Sequence, residues 1–369
     1  MRIGIITKIG KNYGALLQAY ALKTALCDMG HEAHIIRYTP ENSLRTYKIC
    51  KYPWGIRGTK ENIKALFRFK DINKSNSAFL NFREKYFDFI GDYKKNDEFI
   101  KNPPKCDIYI TGSDQVWNPL LSFDSAYYFG FCDENIDVKR ASYAASIGLN
   151  AIPTKYENDF IDMVRKFDYI SVRETQGKRI LDSYGVPAVV APDPTLLLDM
   201  DKWSSVTKSK AVSQPYILCY FVSFSKEMAE LSRRIQRITG YKIVNLMTSE
   251  SSSSVGNVKV RDAGPEEFLG YFEKASFVLT SSFHGTVFSI INKRPFATIL
   301  YKQTSSRVEE LLSNLELESR IISSDEKDVG KYIVNSDEIY SENVQQRLRQ
   351  QRMIGLNVLE KIVGLSNEK

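Results

Sequence analysis

Residues 277–295 read FVLTSSFHGTVFSIINKRP, and the fold is read outward from them. Phe277–Thr280 is an apolar run of strand length, 281–284 is a polar loop, and Gly285 and Thr286 open an apolar helix to about Asn292. A strand that empties into a helix N-terminus aims backbone amides and the positive helix end at one place, which suits a phosphate or carboxylate. His284 lies in that loop, so a group that exchanges protons near neutral pH stands beside the anion site. The chain has three histidines; His31 and His34 flank a strand and read as structural.

The same strand–loop–helix unit opens the chain. Residues 2–7 form an apolar strand, 8–14 a glycine-punctuated loop, 15–29 a helix stopped by Gly30, and 31–38 a second strand. That is a right-handed βαβ unit with parallel strands. A basic insertion at 41–78 follows, then an aromatic helix around 79–90. Further strands are expected at 107–111, 140–146, 169–172 and 188–190, with helices at 155–166 and 175–184. The polar stretch 199–214 reads as a linker. Beyond it strands at 216–222, 242–245, 258–260, 277–280 and 296–300 alternate with helices at 226–239, 265–274 and 285–292. A helix at 305–315, a strand at 320–322 and a polar helix at 341–363 complete the chain. The expected organisation is α/β: a doubly wound domain over 1–200, a second over 201–340, and a terminal helix over 341–369.

Length agrees with two domains, since 369 residues exceed what one core usually holds. Five scattered cysteines with no C-x-x-C pair argue against a zinc site or disulfide framework and suit a reducing, cytoplasmic setting. No basic-then-apolar leader precedes the first strand, and the longest apolar run, 216–222, is far short of the roughly 20 residues of a membrane span. The net charge of +7 is uneven: 45–74 holds nine basic residues against Glu61 and Asp71, with aromatic residues interleaved. Such a stretch reads as a solvated insertion, or as a patch for an anionic membrane surface or a diphosphate substrate. No nucleic-acid-binding module is present.

Ligands of open α/β sheets bind beyond the carboxyl ends of the strands, so the loops there carry the candidate chemistry. Asn12, Tyr13 and Gly14 precede a helix that starts with small residues, with Gln18 one turn on. The GSDQVWN loop gathers Ser113, Asp114, Gln115, Trp117 and Asn118, polar edges for hydroxyls and an indole for the apolar face of a sugar. Asp114 could act as a base or cap a helix. Arg173 leaves a strand as a fork for carboxylate or phosphate, and Asp193 between two prolines reads as a turn. Around His284, the donors are Ser281, Ser282, Gly285 and Thr286, with Lys302, Ser305, Ser306 and Arg307 beyond the next strand.

Taken together, NYGALLQAYAL, GSDQVWN, YAASIG, SVRE, PDPTLL and SSFHGTVFSIINKRPF make the chain resemble the polysaccharide pyruvyltransferase family over nearly its full length. The resemblance implies two Rossmann-like domains facing across a cleft in the GT-B manner. It also implies transfer of pyruvate from phosphoenolpyruvate to a sugar, forming a cyclic ketal, in capsular, exopolysaccharide or cell-wall glycan synthesis. The family's donor-site arginine corresponds to Arg173 and its arginine–x–histidine element to Ser282, Phe283 and His284, so serine stands where the family has arginine.

On this reading His284 is the general acid and Asp114 the base. Arg173, Ser281, Ser282, Gly285, Thr286 and Arg307 hold the donor. Asn12, Tyr13, Gln18, Gln115, Trp117 and Asn118 hold the acceptor, a sugar or lipid-linked oligosaccharide. No metal or cofactor is expected. The expected location is cytoplasmic, with peripheral contact at the inner face of the cell membrane. The alternatives are a GT-B glycosyltransferase using a nucleotide sugar and a non-catalytic saccharide-binding relative.

Overall fold

The computed structural model describes residues 1–40, 47–49, 56–132, 138–209, 212, 214–223, 225–247, 255–300, 305–334 and 337–365. The expectations for Lys302, for the loop at 251–254 and for most of 41–55 lie outside these residues. In chain order the first elements are β1 (Arg2–Ile6), α1 (Tyr13–Asp28), β2 (Glu32–Tyr38), α2 (Ile56–Phe67), α3 (Phe69–Tyr86), β3 (Phe89–Tyr93), α4 (Asn96–Lys101) and β4 (Ile108–Thr111). Then come β5 (Lys139–Ala145), α5 (Thr154–Val164), β6 (Tyr169–Val172), α6 (Thr175–Ser183), β7 (Val189–Val190) and α7 (Met200–Ser204). Next are β8 (Tyr216–Tyr220), α8 (Lys226–Thr239), β9 (Lys242–Leu246), β10 (Val258–Val260), α9 (Pro265–Lys274), β11 (Phe277–Thr280), α10 (Phe283–Ile291) and β12 (Phe296–Thr298). The chain closes with α11 (Ser305–Asn314), α12 (Gly330–Val334), α13 (Asp337–Tyr340) and α14 (Glu342–Gly364).

The strands form two parallel sheets, one of seven strands in the order β3-β2-β1-β4-β5-β6-β7 and one of five in the order β10-β9-β8-β11-β12. Parallel sheets are covered on both faces and need apolar residues on both. Accordingly IYIT of β4, YILCY of β8 and FVLT of β11 are buried at every position. The strand order reverses between β1 and β4 in the first sheet and between β8 and β11 in the second. Loops leaving neighbouring strands diverge there and open a crevice at the carboxyl ends.

Helix boundaries follow local chemistry. Ser225 caps α8 by accepting from the Met228 amide, Gly240 ends it at φ 69°, and Met228, Leu231, Ser232 and Ile235 turn inward. Three expectations differ. The helix placed over 79–90 ends at Tyr86, and Phe89–Tyr93 is instead the half-exposed edge strand β3, too short and irregular, with Gly91 at φ 64°, to show a two-residue period. The polar stretch at 199–214 contains α7, whose Trp203 is buried. The strand at 320–322 reduces to a bridge between Ile321 and Thr298 after a turn of 3-10 helix.

The chain divides into two compact units. One comprises Met1–Lys48, Arg83–Leu198 and Gln350–Lys369, the other Ile49–Phe82 and Asp199–Arg349. This corrects two assignments: Ile49–Phe82, most of the basic insertion, packs with the second unit, and α14 is shared, its last part joining the first. Contacts far apart in sequence decide both: Lys74 Nζ with the Asp262 carboxylate and Ala78 against Gly264 for the first, and Arg352 Nε with the Leu196 carbonyl for the second. Among the described residues no helix is long and apolar enough to cross a membrane.

Candidate active-site elements

In the first unit the loops after β1 and β4 meet at the reversal point. Gly112 opens the second loop with φ 111°, and a Cβ on it would lie 2.3 Å from the Tyr143 carbonyl oxygen, so only glycine fits. The next peptide, Gly112–Ser113, is cis. The Ser113 amide donates to Gln18 Oε1 at 3.0 Å, its hydroxyl to the Ala144 carbonyl at 2.9 Å, and its carbonyl accepts from the Thr7 hydroxyl at 3.2 Å. Gln18 Nε2 donates to Thr7 Oγ1 at 3.0 Å and to the Ala15 carbonyl at 2.8 Å. Gln18 is fully buried. It fastens the two loops together and does not face an acceptor, which corrects the expected role.

Trp117 requires the same correction. Its indole is 0% exposed, donates to the Tyr127 carbonyl at 3.3 Å, stacks on Tyr128 and meets Phe167 edge-on. A ring closed in the core cannot cover a sugar face. Asn118 and Tyr13 are buried as well, and the Asn118 side chain bonds Gln115 Oε1 and the Leu120 amide. What remains accessible is Asn12, exposed and capping α1 through the Ala15 amide at 3.1 Å, together with half-buried Asp114 and Gln115. Asp114 sits at φ 63°, held by hydrogen bonds to its carbonyl from the Val116 and Ser146 amides at 2.8 and 2.9 Å. An aspartate tolerates this left-handed conformation better than most residues, and such outliers gather at functional sites.

Lys8, not singled out from the sequence, donates to the Gln115 carbonyl at 2.6 Å. Burial lowers its pKa, while the charges of Asp114 and Asp124 oppose the shift. The carboxylate proposed as a base therefore has a lysine as its electrostatic neighbour.

Behind this loop runs a buried charged network. Arg173 Nη1 donates to Asp193 Oδ2 at 2.8 Å and Nε to Glu174 Oε1 at 3.3 Å. The three side chains are 3%, 0% and 5% exposed. Burial pulls the guanidinium pKa down, but Glu174 and Asp193 push it further up, for a net rise. Asp193 Oδ1 accepts from the Thr195 amide and hydroxyl at 3.0 and 2.6 Å, and Glu174 accepts from the Ser146 hydroxyl. The anions that Arg173 meets here, Asp193 and Glu174, belong to its own chain. The network joins the carboxyl ends of β5, β6 and β7 and supports the Asp114 loop through Ser146.

In the second unit α10 starts where β11 ends, at the other reversal point. Ser281 Oγ accepts from the Val222 amide at 3.2 Å, tying the loop to the end of β8. Ser282 caps α10: its Oγ accepts from the Gly285 amide at 3.3 Å and its own amide donates to Thr280 Oγ1 at 3.1 Å. A Cβ on Gly285 would lie 2.3 Å from Thr280 Oγ1, so glycine lets the helix press onto the strand. The Thr286 hydroxyl bonds the Ser282 carbonyl and Thr298 Oγ1 at 3.1 and 3.0 Å. Residues 281–291 are all buried except His284, on the first turn of α10. Arg307, also buried, sits on the first turn of α11, which packs against α10. One half-buried imidazole at a positive helix end, with a guanidinium on the adjoining helix, can hold an anion and exchange a proton with it. Among the described residues no trio of His, Cys, Asp or Glu could hold a metal ion.

Solved structures share the architecture at low identity. A UDP-N-acetylglucosamine 2-epimerase from Rickettsia bellii aligns with 100% of this chain and 97% of its own, at TM-score 0.55 and 9% identity. The Neisseria meningitidis UDP-GlcNAc 2-epimerase bound to UDP-GlcNAc aligns over 98% and 99%, at 0.51 and 10%. The spinosyn forosaminyltransferase aligns over 100% of both chains, at 0.51 and 10%. The fold is GT-B. No curated protein sequence matches the chain. The model of one family, described as polysaccharide pyruvyl transferase, matches residues 12–303, a span holding the Asp114 loop, Arg173, Asp193 and the start of α10. The chain belongs to the polysaccharide pyruvyl transferase family.

Proposed function

We propose that the protein transfers the pyruvyl group of phosphoenolpyruvate to two hydroxyls of one sugar, without a metal or cofactor. The observation that carries this reading is His284, the one residue of 281–291 that is not fully buried, on the first turn of α10 and within the family match. The His284 imidazolium gives its proton to the CH2 carbon of the donor, and positive charge develops at the neighbouring carbon. One sugar hydroxyl adds there, its proton passing to the Asp114 carboxylate. The second hydroxyl then displaces phosphate, which leaves with the bonding electron pair and the second proton, closing the ketal. Arg307 and the N-terminal turn of α10 hold the donor's phosphate and carboxylate. Asn12 and Gln115 hold acceptor hydroxyls, with Lys8 as the charged neighbour of Asp114.

The acceptor is a sugar or lipid-linked oligosaccharide of a capsular, exopolysaccharide or cell-wall glycan, met in the cytoplasm at the inner face of the membrane. A nucleotide-sugar glycosyltransferase is the second reading, favoured by the epimerase and glycosyltransferase architecture. Ligand protection separates the two. A ligand at 100 times its Kd stabilises by about 2.7 kcal/mol, so phosphoenolpyruvate should raise the thermal midpoint and a UDP-sugar should not. The opposite pattern would favour the second reading.

A further inference from the structure

Among its described side chains, helix α2 turns a polar one inward and three large apolar ones outward. Asn62 is buried at 2% exposure, while Ile63, Leu66 and Phe67 are 49%, 56% and 88% exposed. Their i, i+3, i+4 spacing puts the three apolar residues on one face. Phe69, 48% exposed, continues the patch into α3. The sequence around it is one-sided in charge. Residues 45–74 hold nine basic residues against two acidic, a surplus of seven that equals the net charge of the whole chain; elsewhere the signs balance, at 42 of each (51 less nine, 44 less two). Lys74 is paired with Asp262. Arg68, between Phe67 and Phe69, has Arg261 as neighbour: burial, and then the Arg68 charge, hold the Arg261 pKa below its usual value.

We propose that the Ile63–Leu66–Phe67–Phe69 surface docks on an anionic lipid bilayer, with α2 lying in the headgroup plane. An interfacial helix combines an apolar face with flanking Lys and Arg, and anionic headgroups attract the basic stretch. A second copy of the chain is a poor occupant, because a two-fold contact would set two such basic stretches against each other. Nucleic acid would leave Phe67 and Leu66 in water. The surface gives a structural basis to the membrane-side location proposed above, and its test does not involve the pyruvyl reaction.

The experiment is co-sedimentation of the full chain with phosphatidylcholine vesicles and with vesicles part-substituted by phosphatidylglycerol. The expected result is binding to the anionic vesicles alone, weakened by salt. Leu66→Ser/Phe67→Ser should bind about tenfold more weakly, with circular dichroism and thermal midpoint unchanged because both side chains are already exposed. Lys64→Glu/Lys70→Glu should lose binding similarly while keeping the apolar face. Absence of binding, equal binding to both vesicle types, or unchanged binding by the serine variant would overturn the proposal. So would sedimentation velocity showing a dimer that the serine variant dissolves.

Discussion

Replacing Asp193 by asparagine keeps the size of the side chain and removes its charge. The Arg173 guanidinium, 3% exposed, is then left with Glu174 at 3.3 Å and loses its closer partner at 2.8 Å. Removing one partner of a buried ion pair costs about 3–5 kcal/mol, because the remaining charge stays desolvated. The two hydrogen bonds from Thr195 to Oδ1 can survive if the amide oxygen takes that position, so Asp193→Asn belongs near 3 kcal/mol. Asp193→Ala, which loses them too, belongs near 5. For a folding unit of 150–250 residues each kcal/mol moves the midpoint by about 2–4 °C, so Asp193→Asn should melt roughly 10 °C lower by scanning calorimetry. Arg173→Met/Glu174→Gln/Asp193→Asn removes all three charges while keeping an acceptor for Thr195, and should recover most of the loss, since neutral groups can replace a buried ionic network at little cost. A loss under about 1 kcal/mol for Asp193→Asn, or a triple variant no better than Asp193→Asn, would refute the structural assignment of Arg173.

His284→Ala should lower kcat by about 10²–10⁴, the usual worth of general acid catalysis, and leave the thermal midpoint nearly unchanged; steady-state phosphate release measures it. Gly285→Ala forces a methyl group against Thr280 Oγ1 and should cost about 1–3 kcal/mol in urea unfolding. Trp117→Ala should cost about 3–5 kcal/mol. Any fraction of it that stays folded should keep its acceptor KM, because the indole lies in the core.

The parallel α/β architecture was legible because buried strands and amphipathic helices leave opposite periodicities, and α8 and α9 have the bounds their caps predict. The position of His284 at the start of a helix was legible because loop polarity and helix onset are local. The roles of Gln18, Trp117 and Arg173 were not, because they depend on partners far along the chain. A GSDQVWN loop looks the same in sequence whether its indole turns outward or, as here, onto Tyr128 and Phe167. Arg173 reads as an anion fork until Asp193, twenty residues on, supplies the anion. Lys8 and Ser146 carried no signal of their own, since a single lysine or serine after a strand is common. The inward Asn62 of α2 likewise breaks the apolar-inside rule from which helix faces are read.

The central claim is transfer of a pyruvyl group from phosphoenolpyruvate to two hydroxyls of a sugar. Incubating the protein with phosphoenolpyruvate and a panel of glycosides, with mass spectrometry of the products, tests it most directly. The account predicts a glycoside carrying one pyruvate ketal, formed in step with inorganic phosphate and lost in His284→Ala. Saccharide binding without adduct or phosphate, or an adduct formed only from a nucleotide sugar, would contradict it.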